Sequence, residues 1–149
     1  MKLTEQECRS AFDAARVARL ATVDAAGRPH LVPITFVVHG ECVYFAVDAK
    51  PKSSTNLRRL RNIAENPQVS LLVDEYDEDW SRLWWVRADG LARELTREAD
   101  AAREPGTPAE DRIRDLLRER YPQYADVALE GPVVEITVEQ WSGWRYAGS

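Results

Sequence analysis

The sequence predicts a mainly β protein, a small six-stranded antiparallel barrel with helices attached, and three observations carry that reading. Short runs rich in β-branched and aromatic residues recur along the chain between Gly, Pro and Asn/Asp turn signals. Three of them arrive by residue 47 with only tight turns between, which reads as an antiparallel meander. Near the other end Val134, Ile136 and Val138 alternate with Glu135, Thr137 and Glu139, a strand with one wet face.

Taken in order, Thr4-Glu5-Gln6-Glu7 forms a capping box and opens a helix over residues 5–16, with Ala11, Phe12, Ala15 and Val17 on its buried side. Strands follow at 20–23 and 30–38, joined through the Ala26-Gly27 turn. Pro33 cannot donate to a ladder, so it marks an edge or a bulge. A third strand covers 42–47. A helix follows with Leu57, Leu60, Ile63 and Ala64 at helical spacing, Arg58, Arg59 and Arg61 on its other faces, and Asn66-Pro67 as its stop. Strands at 69–73 and 83–95 flank the acidic loop 74–79. A helical stretch at 96–103 precedes a second capping box at Thr107-Pro108-Ala109-Glu110, whose helix carries Ile113, Leu116, Leu117 and Tyr121 as its apolar stripe.

Composition narrows the class. With 149 residues, 44% hydrophobic and 30% charged, the expectation is a single domain over residues 1–149. A chain of that size buries roughly 70% of its unfolded surface, enough for a core without staples. No apolar run approaches the roughly 20 residues of a membrane helix. The charged amphipathic start is unlike a secretory signal, so a cytoplasmic location is expected. Cys8 and Cys42 are too few for a disulfide framework or a zinc cage. A net charge of −5 argues against nucleic acid as the partner. All five tryptophans, Trp80, Trp84, Trp85, Trp141 and Trp144, lie in the second half, as core, as subunit contacts or against a flat ligand.

The pattern of any familiar nucleophile, metal or nucleotide-loop motif is missing. His30 and His39 lie on or beside one hairpin; His39 reads as a solvated turn residue, and His30 either packs or faces a site. Both cysteines read as packing residues, and the acidic loop as a solvated charge run. The segment from Lys50 to Arg61 reverses the sign of the chain, with Lys50, Lys52, Arg58, Arg59 and Arg61 around Ser53, Ser54 and Thr55 at a helix start. Free backbone N–H groups, the helix dipole, lysine heads and hydroxyls together suit a phosphate. The same spacing also suits a solvated basic face paired with the acidic loop.

Several of these pieces form a larger pattern. Ala21-Thr22-Val23, Gly27 through Pro33, Val43 through Ala46, Lys50-x-Lys52-x-x-x-Asn56-Leu57-Arg58 and Asn66-Pro67-x-Val69-Ser70-Leu71 together resemble the pyridoxamine-phosphate-oxidase-like split-barrel superfamily. Leu83 through Gly90 resembles the subgroup of oxidoreductases dependent on the deazaflavin coenzyme F420. The resemblance implies an FMN-binding-type split β-barrel that forms a homodimer, with cofactor clefts at the subunit interface and a small conjugated organic substrate. It implies that Lys50, Lys52, Ser53 and Asn56 hold the cofactor's phosphate-bearing tail, with Arg58 and Arg59 toward more distal carboxylates. Thr22, Pro33, Thr35, Phe45, Ala46 and Val47 would line the ring, and Trp84 or Trp85, with Trp85 preferred, would reach it from the partner subunit. One departure stands out: a basic residue usual three places before the Asn-Leu pair is Ser53 here, with lysine one place earlier. An FMN enzyme of the same fold and a non-catalytic flavin- or haem-type binding protein are the competing readings.

Overall fold

The computed structural model describes residues 1–47, 54–95, 110–126, 129 and 131–147. Helix α1 (Glu5–Ala14) leads into β1 (Ala18–Val23), β2 (Pro29–Ile34), β3 (Val37–His39) and β4 (Cys42–Ala46). Then come α2 (Ser54–Glu65), β5 (Gln68–Glu75), a 3-10 turn (Trp80–Arg82), β6 (Trp84–Glu94), α3 (Glu110–Arg120), a second 3-10 turn (Pro122–Asp126) and β7 (Val133–Arg145). The strands form one antiparallel sheet in the order β2-β1-β5-β6-β7-β4-β3.

The sheet curls because its two outermost strands are consecutive in the chain. Only Thr35 and Phe36 separate β2 from β3, yet β2 pairs with β1 at one end of the order and β3 with β4 at the other. Seven strands therefore stand where six were expected: the run at 30–38 is two strands with different partners. The meander is corrected for the same reason, since β4 pairs with β3 and β7 and not with β2. Pro29 and Pro33 both lie on β2, an edge strand, where a missing N–H costs no ladder bond. The last strand is much longer than its alternating segment, 13 residues, and carries both Trp141 and Trp144.

Alternation sends one set of side chains into the curl. Leu20, Leu71, Val86, Ala88, Val43, Phe45, Val134 and Ile136 are all fully buried there. Helix α1 closes one end. Thr4 and Glu7 make the reciprocal capping bonds at 3.2 and 3.0 Å, and those bonds hold the Glu7 carboxyl below its ordinary pKa. The helix then lays Cys8 and Phe12 inward, with the Phe12 ring 4.8 Å from Phe36 and 5.3 Å from Trp141. Burying one such side chain contributes about 1.5–3 kcal/mol. Val17 falls past the end of α1 and is exposed, contrary to the sequence reading, because the helix stops at Ala14.

Two glycines are required by geometry. Gly27 has φ +85 in the β1–β2 turn, where Asp24 accepts from the N–H of Ala26 and of Arg28. Gly90 sits at the register shift between β6 and β7, and a Cβ there would lie 2.2 Å from the Thr137 carbonyl oxygen. A second apolar cluster lies outside the curl, where α3 covers β3, β4 and β7; Ile113 and Leu117 are fully buried, Tyr121 is 4% exposed and Leu116 packs at the margin, matching the expected stripe. Residues 96–109, with the helical stretch at 96–103 and most of the second capping box, lie outside the described residues. Among the described residues no helix is long and apolar enough to cross a membrane.

Candidate functional site

Helix α2 lies against β1 and β6, beside one end of the curl. The helix is rolled relative to the sequence expectation: Arg59 is 9% exposed and Asn62 2%, whereas Leu60 is half-buried and Ala64 exposed. Arg59, expected on an outer face, sets its guanidinium 5.7 Å from the centre of the Phe45 ring. Its stem packs as an apolar residue would while the head retains its charge. Burial pulls its pKa down from the usual arginine value. Asn62 donates to the Thr22 hydroxyl at 3.1 Å, so a polar pair fixes α2 to β1 inside an otherwise apolar core.

His30 faces the same interior end, opposite Thr22 in the ladder. Desolvation, and then the positive charges of Arg58 and Arg59, hold its imidazole below the ordinary histidine pKa. Its Nδ1 is buried and unpartnered, as is Asn62 Oδ1. Arg58 is exposed, and among the described residues no carboxylate forms an ion pair with it. This end of the barrel therefore collects two guanidinium groups, a neutral imidazole, a hydroxyl and an amide. Such a donor set fits an anionic oxygen-rich group, including the tail of a flavin or deazaflavin.

The residues expected around a ring divide by face. Thr22, Phe45 and Val47 are buried at 1%, 0% and 2%, so their side chains belong to the core. Ala46 is half-buried and pairs with Val133. Pro33 is exposed on the opposite face. Thr35 is half-buried at the β2–β3 corner and hydrogen-bonds the Tyr124 hydroxyl. Trp84 packs against the core and donates to Glu75 at 3.2 Å, while Trp85 faces outward opposite Trp144, with the Arg87 guanidinium 5.7 Å away. Lys50, Lys52 and Ser53 lie outside the described residues; Asn56 lies within α2, its side chain undescribed.

Cys8 does not resemble a nucleophile. The Cys8 thiol is pushed up by burial and then by Glu7 and Glu5, the reverse of an activated thiolate. In the acidic loop Asp79 caps the 3-10 turn through Ser81, and Glu75 accepts from Arg82 at 2.9 Å. Sequence reasoning missed Asn62 and Tyr124, and placed Tyr121 in an apolar stripe without its hydrogen bonds to the β2–β3 corner. A polar residue three places after Arg59, beside apolar Ile63, was the available signal for Asn62.

The curled antiparallel sheet, closed by one bent run and carrying a helix inserted after its fourth strand, defines a split β-barrel. The sequence matches the family described as pyridoxamine 5'-phosphate oxidase over residues 4–145, and the chain belongs to that family. Solved structures with the same fold include an FAD-binding protein from Mesorhizobium loti, 24% identical, TM-score 0.70, covering 96% of this chain and 95% of that one. An FAD-binding protein from Mycobacterium smegmatis is 24% identical with TM-score 0.62, covering 98% and 99%. The heme storage protein HutZ from Vibrio cholerae is 22% identical with TM-score 0.67, covering 95% and 93%. In sequence, 57 residues are 37% identical to 5a,11a-dehydrotetracycline/5a,11a-dehydrooxytetracycline reductase from Streptomyces rimosus. That match spans 38% of this chain and 39% of that enzyme.

Proposed function

We propose that this chain is an oxidoreductase that moves a hydride between a flavin-type cofactor, coenzyme F420 before FMN, and a small conjugated organic molecule. The observation that carries the reading is the cationic end of the barrel, where the charges of Arg58 and Arg59 on α2 act on His30 and Asn62 bonds to Thr22 beside it. The positive charge gathered there attracts the negatively charged tail of such a cofactor. The partial likeness to a reductase of a polycyclic substrate supports the reaction class. Bound there, the cofactor supplies the hydride chemistry. The chain's own residues bind, orient and exclude water, which asks for no protein nucleophile.

On this reading Lys50, Lys52, Ser53, Asn56 and Arg58 grip the tail. Thr22, Phe45, Ala46 and Val47 form the wall behind the ring, the buried members through their backbone. Pro33 on β2 and Thr35 at the β2–β3 corner border it. Trp85, on the outward face, serves the cleft of a second subunit, so the active form is a homodimer.

Fluorescence titration with F420, FMN and FAD tests the proposal. F420 is expected to bind most tightly, and Lys52→Ala to weaken it more than Arg61→Ala by about tenfold or more, the equivalent of a charge-assisted contact of about 1.5–3 kcal/mol. Equal affinities in the two variants would remove the phosphate placement. Tighter FMN binding, with a yellow purified protein, would favour an FMN enzyme of the same fold. Affinity without turnover of any acceptor would favour a flavin- or haem-type binding protein.

A further inference from the structure

Tyr121 and Tyr124 have no part in the cofactor reading, yet the corner that closes the barrel is built on them. The Tyr121 hydroxyl accepts from the Phe36 N–H at 3.2 Å and donates toward the Phe36 and Arg16 carbonyl oxygens, at 2.9 and 3.1 Å. Tyr124 crosses it edge-on at 5.9 Å and meets Thr35 through its own hydroxyl. Between these rings and the end of α1 opens a cleft of about 300 Å³, lined by Arg16, Val17, Thr35, Tyr121, Gln123 and Tyr124.

Its lining has a definite chemistry. Val17 is 42% exposed, although β1 begins one residue later. The Arg16 guanidinium lies 4.6 Å from the centre of the Tyr121 ring and donates to the Arg120 carbonyl at 2.7 Å. Among the described residues no carboxylate lines the cleft. The neighbouring Arg120 is by contrast matched, 3.6 Å from Asp13 and bonded to two main-chain oxygens of the α1 end. So the cleft offers apolar ring surface, an amide and one guanidinium charge that its described lining leaves uncompensated, both phenol hydroxyls being already hydrogen-bonded within the chain. A volume near 300 Å³ suits a small ligand of one or two fused rings. A guanidinium fixed over an aromatic ring prefers a carboxylate or a phenolate oxygen.

We propose that this cleft is the acceptor pocket and that it selects planar aromatic anions. The ring system rests on Val17 and Tyr124, and its negative oxygen meets Arg16, which Tyr121 holds in place from beneath. The acceptor role rests on the oxidoreductase reading, since Thr35 is the residue common to the cleft and to the cofactor wall; the anion selectivity rests on the cleft alone. Thr35 is five residues along β2 and its corner from His30, about 16 Å of extended chain. Cofactor tail and acceptor would then enter from opposite ends of that run.

The test uses two probes of equal shape, 2-naphthoate and 2-naphthamide, titrated into the protein with and without saturating F420. Wild type is expected to prefer the naphthoate by about tenfold or more. Arg16→Gln, which keeps a donor for the Arg120 carbonyl, is expected to bring that preference close to one, and Arg16→Lys to restore most of it. Thermal melts of both variants guard against a folding defect, and F420 affinity in Arg16→Gln should stay within about twofold of wild type. Equal affinity of wild type for the two probes, or a preference that survives Arg16→Gln, would overturn the anion pocket. Should the preference stand while no cofactor binds, the oxidoreductase reading falls and the anion cleft survives it.

Discussion

The outer face of the sheet is covered over β3, β4 and β7 and bare over β2, β1, β5 and β6. Over the first half, α3 seals Val37, Tyr44 and Val133 beneath Ile113, Leu117, Tyr121 and Leu129. Over the second, Leu31, Leu72 and Leu91 stand 66%, 38% and 41% exposed among charged neighbours. Those neighbours pair only on the surface, Arg19 with Asp74 at 4.0 Å and Arg87 with Asp89 at 3.0 Å. Surface pairs of this kind contribute about 0–1 kcal/mol each. One sheet thus shows the same alternation twice. Where the chain supplies its own helix the outward residues become core, and where it does not, they stay exposed and, on the proposed function, meet another molecule. On the proposed function that molecule is a second copy.

The sharpest way to break the contrast is to weaken the covered half. Leu117→Ala should cost about 2–5 kcal/mol in a denaturant titration, because a fully buried side chain leaves a cavity. A loss below 1 kcal/mol would mean that α3 is not integral to the fold. Next comes the bare half. Leu72→Asp should weaken self-association at least about tenfold, or 1.4 kcal/mol, by light scattering, with unchanged far-UV circular dichroism. A wild type of monomer mass, or a variant that associates as before, would detach that face from the dimer.

A smaller effect separates packing from polarity under α3. The Tyr44 hydroxyl donates to the buried Glu135 carboxylate at 2.8 Å, and Arg93 donates to its other oxygen at 3.0 Å. Burial, and then the bond to Glu135, push the phenol far up, so Tyr44 stays a donor at every ordinary pH. Tyr44→Phe should therefore cost about 1–3 kcal/mol, although it removes only one oxygen. A neutral result would show that water replaces the lost donor.

The smallest expected change concerns pH at the α2 end. Desolvation and the charges of Arg58 and Arg59 hold His30 below its unfolded pKa of about 6.5. The unfolded chain then binds a proton that the folded one refuses, so stability from neutral His30 is complete above about pH 6.5 and is lost as pH falls toward the folded value. Between pH 7 and pH 5 the melting temperature of wild type should fall further than that of His30→Gln. Parallel slopes would assign the acid sensitivity to other groups.

Much of this architecture was legible residue by residue. The Thr4–Glu7 box, Pro33 on an edge, the Gly27 turn and the α3 stripe all follow from local chemistry that tertiary contacts do not override. What was not legible depends on partners distant in sequence. Nothing in residues 30–38 says that the first half pairs with β1 and the second with β4, because both halves have the same β propensity. Periodicity placed Leu60 and Ala64 on the buried side of α2, and the packed helix turned Arg59 and Asn62 there instead; a count of apolar residues does not register the Thr22 hydroxyl waiting opposite. The basic character of the α2 end was visible as a sign reversal, whereas the cleft at Tyr124 joins residues more than a hundred positions apart and left no local trace.

The turn at Thr35 and Phe36 has a mechanical meaning. It is the covalent hoop that makes a ring of what would otherwise be a ribbon, and the Tyr121 phenol is the rivet through it. Severing the peptide there leaves every ladder bond in place, yet frees the two rims to spring apart. Tension applied across the barrel therefore concentrates on two residues, while the opposite lip, beside His30, is held by the side-chain bond from Asn62 to Thr22.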